Sequence, residues 1–241
     1  MSIDTERDRL IDAALAHVTF EGMNDAAIRA GVQDLGMDAR LVQVLLPQGG
    51  ADLAAAYHRR GDAALADWLR DSPPQGGFRD RIAQAVLHRL ETADRELVRA
   101  GAAVLALPQH AALGAKLLWE TADVIWSGLG DTSEDVNWYS KRATLSAVHG
   151  ATVLFWLGDD PEDMHDTRRF LDRRLDGVMR FEKLKAFARK LPGAGAALNL
   201  ATGWIRKPGS RNLPGHVAPR WSPRGDLPGG RDSSAKNGNR T

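Results

Sequence analysis

An all-α bundle is the fold expected for this chain, on three observations. Apolar residues recur at helical spacing through nearly every segment, no stretch alternates as a half-buried strand would, and β-branched residues seldom cluster. Glycine and proline divide the chain into lengths that suit helices. Over 6–19, Leu10, Ile11, Ala14, Leu15 and Val18 make one stripe that stops at Glu21-Gly22. Short helices are expected over 25–32 and 37–46, parted by Leu35-Gly36. Pro47 to Gly50 break the chain before a longer helix over 51–70, which Ser72-Pro73-Pro74 closes. Helices over 78–92, 94–106, 110–129 and 134–157 follow. Asp160-Pro161 reads as an N-cap and first-turn proline for one more, to about residue 179.

The 241 residues fit one domain of roughly 200 residues plus a tail. Its expected parts are a three-helix head (1–48), a helical body (49–180), a basic amphipathic helix (181–207) and a tail (208–241). The tail holds 5 of the 11 prolines and 6 glycines with almost no aliphatic periodicity, so disorder is expected there.

Several function classes are argued against. There is no cysteine, hence no disulfide framework or thiolate metal site, which suits a reducing compartment. The acidic start, Met1 to Asp8, lacks the apolar core of an export signal. The longest charge-free runs, 100–115 and 143–158, have 16 residues each, short of the ~18 that a spanning helix needs. The seven histidines include no pair at helical ligand spacing, and the one Glu-x-x-His, Glu162 to His165, stands alone where a helical di-iron site needs two. No nucleophile elbow, phosphate loop or dinucleotide fingerprint occurs. The chain offers no candidate catalytic residue and no metal ligand set.

Charge is distributed unevenly. From residue 180 onward 13 Lys/Arg face three acids, so a net +10 there sits against −9 for residues 1–179. A basic end of this kind suits an anionic partner. Within it, Leu184, Phe187, Ala188 and Leu191 recur on one stripe, which Ala194, Leu198, Ala201 and Ile205 continue past Pro192-Gly193. Lys183, Lys185, Arg189 and Lys190 take the other side, and Trp204 precedes Arg206-Lys207. A basic amphipathic helix with a terminal tryptophan is expected to lie on an anionic membrane surface.

The first three helices have helix-turn-helix spacing at the head of an all-helical protein and resemble the head of TetR-type regulators. DNA binding is nevertheless disfavoured, because residues 1–46 carry four arginines against eight acids. The would-be recognition helix, 37–46, offers a groove only Arg40 and Gln43, while affinity for DNA depends on neutralising several phosphates. A TetR-type transcription regulator with an apolar effector pocket is thus the competing reading.

Two helices carry an apolar surplus. Residues 110–129 and 143–157 place large apolar side chains on more than one face, as expected where helices are buried on several sides. Such faces suit a bundle core, a subunit interface or a pocket between helices. Leu117, Leu118, Leu145, Val148, Thr152 and Phe155 are the candidate pocket residues.

Between those helices runs Gly130-Asp-Thr-Ser-Glu-Asp-Val-Asn-Trp-Tyr-Ser-Lys-Arg-Ala143. Thr132 and Asp135 have capping-box spacing. Trp138 and Tyr139 point about 100° apart on a helix, so at least one is expected near the surface. This run closely resembles the Coq-nine family of ubiquinone-biosynthesis proteins. So do Asp166-Thr-Arg-Arg-Phe-Leu-Asp-Arg-Arg-Leu175 and the head motif Leu10-Ile-Asp-Ala-Ala-Leu15, and the resemblance extends over about residues 6–205. It implies a TetR-like bundle with a degenerate helix-turn-helix head and a C-terminal amphipathic helix. It also implies a homodimer without specific DNA binding or chemistry of its own, peripheral on the cytoplasmic face of the inner membrane. Such a protein would need no cofactor beyond a bound isoprenoid lipid or phospholipid. It would present quinone precursors to ubiquinone-synthesis enzymes, chiefly the di-iron demethoxyubiquinone hydroxylase. By motif position the partner surface maps onto Asp123, Ile125 and Trp126 of one helix and Asp135, Trp138, Tyr139 and Arg142 of the next.

Overall fold

A computed structural model describes residues 2–133, 136–159 and 163–189, with side chains through residue 178 apart from Val136. Among the described residues there is no strand. The helices are α1 (Ile3–Glu21), α2 (Asp25–Leu35), α3 (Val42–Leu45), α4 (Gly50–Asp71), α5 (Phe78–Glu91), α6 (Arg95–Leu105), α7 (Ala111–Gly128), α8 (Val136–Trp156) and α9 (His165–Arg189).

Their starts follow from ordinary capping. The Ser2 side chain accepts from Thr5 N, Asn24 from Ala26 N, and Asp94 from both Glu96 N and Leu97 N. Two boundaries differ from expectation. The segment 37–46 is a 3-10 turn, Ala39–Leu41, followed by the single α-turn of α3, because Asp38 caps Arg40 N and so starts a tighter turn. The last helix begins at His165, where Asp163 accepts from His165 N at 2.8 Å and Asp159 accepts from Thr167 N at 2.7 Å. The expected cap, Asp160-Pro161, lies outside the described residues, as do Glu162 and the tail 208–241.

Two apolar clusters organise the bundle. Leu10, Ile11, Ala14 and Val18 of α1 meet Ala27, Ile28 and Val32 of α2, Leu45 and Leu46 beside α3, and Leu53 and Ala54 of α4. Leu97 and Val104 of α6 pack against the same cluster, so the head shares its core with the body. The second cluster joins Leu65 and Leu69 of α4, Ile82 and Val86 of α5, Ile125 and Trp126 of α7, Leu145 and Val148 of α8, and Leu171 and Leu175 of α9. Each such buried Leu or Ile contributes on the order of 1.5–3 kcal/mol over its exposed state. No described helix is long and apolar enough to cross a membrane.

Candidate functional site: an apolar cavity and a charged helix junction

Between the two clusters the bundle leaves a cavity of about 480 Å³, walled by α4, α5, α6, α7 and α8. A cavity of this size lies within the range of small-molecule sites, ~300–1,000 Å³. Its space comes from small side chains: 11 of its 24 lining residues are Ala or Gly, among them Gly101, Ala102, Gly114 and Ala115. At Gly150 an added Cβ would come within 2.9 Å of Leu118 Cδ1, so glycine there lets α8 approach α7. Leu97, Val98, Leu105, Leu118, Val153 and Leu154 complete the apolar wall.

The floor is polar. Arg89 of α5 and Asp62 of α4 form a buried pair at 2.9 Å, and Arg89 Nη2 also donates to the His58 carbonyl at 2.9 Å. Gly61 makes room for this guanidinium, because any Cβ there would collide with it. Thr121 Oγ1 lies 3.0 Å from Asp62 Oδ2 and 2.8 Å from His58 Nε2. Burial works against the Asp62 carboxylate, but His58 and Arg89 overcome it and hold the group below its usual range. His149 of α8, 2 % exposed, lines the same cavity. Burial, together with the nearby charges of Arg89 and His58, lowers its pKa to about 3, so the imidazole is neutral near pH 7.

Only Leu117 and Leu118 of the candidate pocket residues line this cavity. Leu145 and Val148 face the opposite way, into the core with α9. Thr152 is fully buried and donates to the Val148 carbonyl at 2.7 Å, and Phe155 stacks on Phe170 with ring centroids 4.4 Å apart. The correction has a physical cause. Periodicity singles out large residues, and large residues fill a core, whereas a void lies along the face where the side chains are small.

The α7–α8 junction brings most of the expected partner surface together, but turned inward. Arg142, 2 % exposed, pairs with Asp123 and with Asp131 Oδ2 at 3.0 Å, and its guanidinium lies 4.1 Å from the Trp138 ring centre. Lys141 binds Asp131 Oδ1 at 2.8 Å and lies over Trp126, whose Nε1 donates to the Lys141 carbonyl. Burial opposes the Asp131 charge, yet hydrogen bonds from Lys141, Ser133 and Arg142 outweigh it and lower the pKa to about 2.

Trp138 is 2 % exposed, Ile125 is fully buried and Trp126 is 8 % exposed. Trp138 is therefore not an exposed anchor. Its indole lies between Trp119 and Tyr139, with ring centres 5.8 and 4.8 Å away, because the Arg142 pairings draw α8 down onto α7. Tyr139 is half-buried and Asp123 partly exposed, so of the described expected partner residues these two reach the surface. Asp135 lies outside the described residues.

Sequence reasoning missed Asp62, Arg89 and His149, none of which belongs to a motif. A faint signal existed in His58 and Asp62, one helical turn apart on α4. Among the described residues no cluster of His, Asp and Glu could hold a metal ion.

The expected membrane residues are divided by the limit of the described structure. Lys183, Leu184, Lys185, Phe187 and Arg189 fall on the backbone of α9, which runs to Arg189, with their side chains outside the described residues. Lys190, Leu191, Leu198 and Trp204 lie wholly outside. In the head, α3 turns Leu41 and Val44 outward, while Arg7 donates to the Leu45 carbonyl, Arg9 pairs with Glu6, and Arg40 pairs with Asp38. Three of the head's four arginines are thus engaged within the protein, which leaves little for phosphates.

Residues 111–182, which contain α7, α8 and their charged junction, match the COQ9 family model. Ubiquinone biosynthesis protein COQ9, mitochondrial, from Drosophila melanogaster is 30% identical over 189 residues, covering 76% of this chain and 58% of that protein. The same-named protein of Rattus norvegicus is 29% identical over 200 residues, covering 79% and 63%. The chain is similar to COQ9 proteins over these residues. It spans about 58 to 63% of the length of these curated relatives. In fold, the chain is similar to a TetR transcriptional regulator from Nitrosomonas europaea, with a TM-score of 0.55 at 16% identity over 72% of this chain and 97% of that one. The likeness concerns architecture alone, an all-α TetR-like bundle.

Proposed function

We propose that this protein is a non-catalytic lipid-binding component of ubiquinone biosynthesis. It holds isoprenoid quinone intermediates in the α4–α8 cavity and presents them, at the membrane surface, to the demethoxyubiquinone hydroxylase. The apolar cavity within a COQ9-like bundle is the observation that carries this reading. Its 480 Å³ suits a ring with part of a hydrocarbon tail rather than a whole polyprenyl chain, so the remainder would project outward. The names of the curated relatives supply the pathway, and the basic, apolar-striped 181–207 segment supports the membrane location. The regulator reading has no observation in its favour beyond the shared architecture.

Ala115 is exposed and lies at the edge of the cavity, so Ala115→Trp should plug the opening without disturbing the core. Titration with N-phenyl-1-naphthylamine, an uncharged apolar fluorophore, should show saturable binding to the wild type. The variant should lose at least about tenfold in affinity with unchanged helical circular dichroism. Equal binding by both proteins would remove the cavity from the lipid-binding reading.

For the partner, Tyr139 replaces Trp138 as the outward aromatic. Tyr139→Ala is expected to weaken binding to the hydroxylase by about 2 kcal/mol while the melting temperature stays near the wild-type value. Trp138→Ala should instead cost about 3–5 kcal/mol of stability, as aromatic core truncations do. Calorimetric titration with the hydroxylase, run beside thermal unfolding, separates the two effects. Unchanged binding by Tyr139→Ala would move the docking surface elsewhere.

A further inference from the structure

Of the five helices that wall the cavity, α6 is held least. Along Arg95–Leu105 the one buried residue is Gly101. Each of the other four buries large side chains in the second cluster: Leu65 and Leu69 of α4, Ile82 and Val86 of α5, Ile125 and Trp126 of α7, Leu145 and Val148 of α8. The apolar side chains of α6 are half-buried because Leu97, Val98, Ala102 and Leu105 line the cavity, so part of each meets empty space in place of a packed neighbour. Local opening falls first on elements with few buried apolar contacts.

The two ends of α6 are fastened by different means. Near its C-terminus Val104 and Leu105 pack against the head cluster. At its N-terminus the fastenings are polar. Arg95 Nη1 donates to the Asp159 carbonyl at 2.6 Å and Arg99 Nη2 to the Leu157 carbonyl at 3.1 Å, so both arginines reach across to the end of α8. The Arg95 guanidinium also lies 4.7 Å from the ring centre of the buried Trp156. Tyr57 Oη of α4 accepts from Asp94 N at 2.9 Å. Hydrogen bonds of this kind exchange for bonds to water at little net cost where the donor is exposed, as the Arg99 side chain is at 52 %. Buried apolar packing has no such substitute.

We propose that α6 is the gate of the cavity: it swings outward about its Val104–Leu105 end, and Arg95 and Arg99 latch it shut on the end of α8. The swing lengthens the opening beside Ala115 into a slot between α6 and α8, wide enough to pass a ring. The proposal rests on the reading of the cavity as a binding site and adds to it the route by which a molecule enters and leaves. Gly101 then sits where the moving helix meets α4, its hydrogen side against Ala54 and Met23.

A reversible lock tests this. A Cβ at Gly101 would lie 3.7 Å from Ala54 Cβ, within the ~3.5–4.5 Å that disulfides span, and the chain has no other cysteine to interfere. In Ala54→Cys/Gly101→Cys, oxidation should slow both uptake and release of N-phenyl-1-naphthylamine at least about tenfold in stopped-flow mixing, with equilibrium affinity within about threefold. The reduced form carries the same two side chains in the cavity wall, so the difference between redox states measures the lock alone. Arg95→Met/Arg99→Met keeps the apolar stems and removes the donors. It should take up and release the reporter about five- to tenfold faster than the wild type, with faster hydrogen exchange in α6 and unchanged exchange in α7. That variant decides the matter if the disulfide does not close. Equal rates for the oxidised and reduced forms overturn the gate and leave the cavity a binding site, and unchanged rates in the arginine variant do the same. A wild type that never binds the reporter saturably overturns the lipid-binding reading itself, and the gate with it.

Discussion

Replacing Asp62 with alanine is expected to lower the unfolding free energy by roughly 3–5 kcal/mol, among the largest effects of any single substitution in this chain. The carboxylate is 6 % exposed and the guanidinium 7 %, so neither charge has water to fall back on. Removing Asp62 strands Arg89 with only the His58 carbonyl as acceptor, and it leaves Thr121 Oγ1 with the Leu117 carbonyl at 3.2 Å in place of the carboxylate. The cost comes from the uncompensated charge rather than from the strength of the bond. Accordingly, the double variant Asp62→Leu/Arg89→Met should recover most of the loss, since replacing both partners of a buried pair by apolar groups is often close to neutral. Urea denaturation followed by circular dichroism would measure both. A single-variant loss below about 1 kcal/mol would mean that solvent reaches the pair.

The second large effect is an acid-sensitive stability with an unusually high onset. In the folded protein the His149 pKa is about 3, against the ordinary value of 6.5. Between those values the unfolded chain binds a proton that the folded protein does not. Stability is therefore complete above pH 6.5 and is lost as pH falls toward 3, at up to about 1.4 kcal/mol per pH unit. The causes are burial of the ring, the Arg89 and His58 charges opposing protonation, and Asp62 favouring it less strongly.

Asp131 has the same sign in a lower window. Its folded pKa of about 2 lies below the ordinary 3.8, so its contribution is present above pH 3.8 and is lost only as pH falls toward 2. Unfolding free energies measured from pH 7 to 4 should thus decline in the wild type and much less in His149→Phe. His88, stacked on Trp68 and also held below its usual value by burial, remains in the variant, so the difference between the two curves isolates His149. Parallel curves would show that the ring is hydrated or already paired in solution.

Much of the architecture was legible because helix formation is read from local spacing. The stripe Leu10, Ile11, Ala14 and Val18 became the buried face of α1, and the Gly-Pro breaks marked the ends of α4. The head's charge count argues against a DNA reader, and three of its four arginines are engaged with the protein's own carboxylates and carbonyls. The site was read less well. Trp138 stood out because two adjacent aromatics cannot face the same way, and the chain resolves this by burying the indole and leaving the phenol at the edge. Nothing local says which of the two turns inward. That choice follows from Arg142, whose partners Asp123 and Asp131 lie 19 and 11 residues away in the chain.

What the sequence determined alone was the helical class and the likeness in the central motif, since each depends on residue type and near-neighbour spacing. The cavity was decided only by the tertiary structure. Its walls are alanines and glycines from five helices, residues whose contribution is the volume they leave empty, and emptiness has no period along a chain. The polar floor arose the same way, when α4, α5 and α8 brought His58, Asp62, Arg89 and His149 together across 92 positions of sequence.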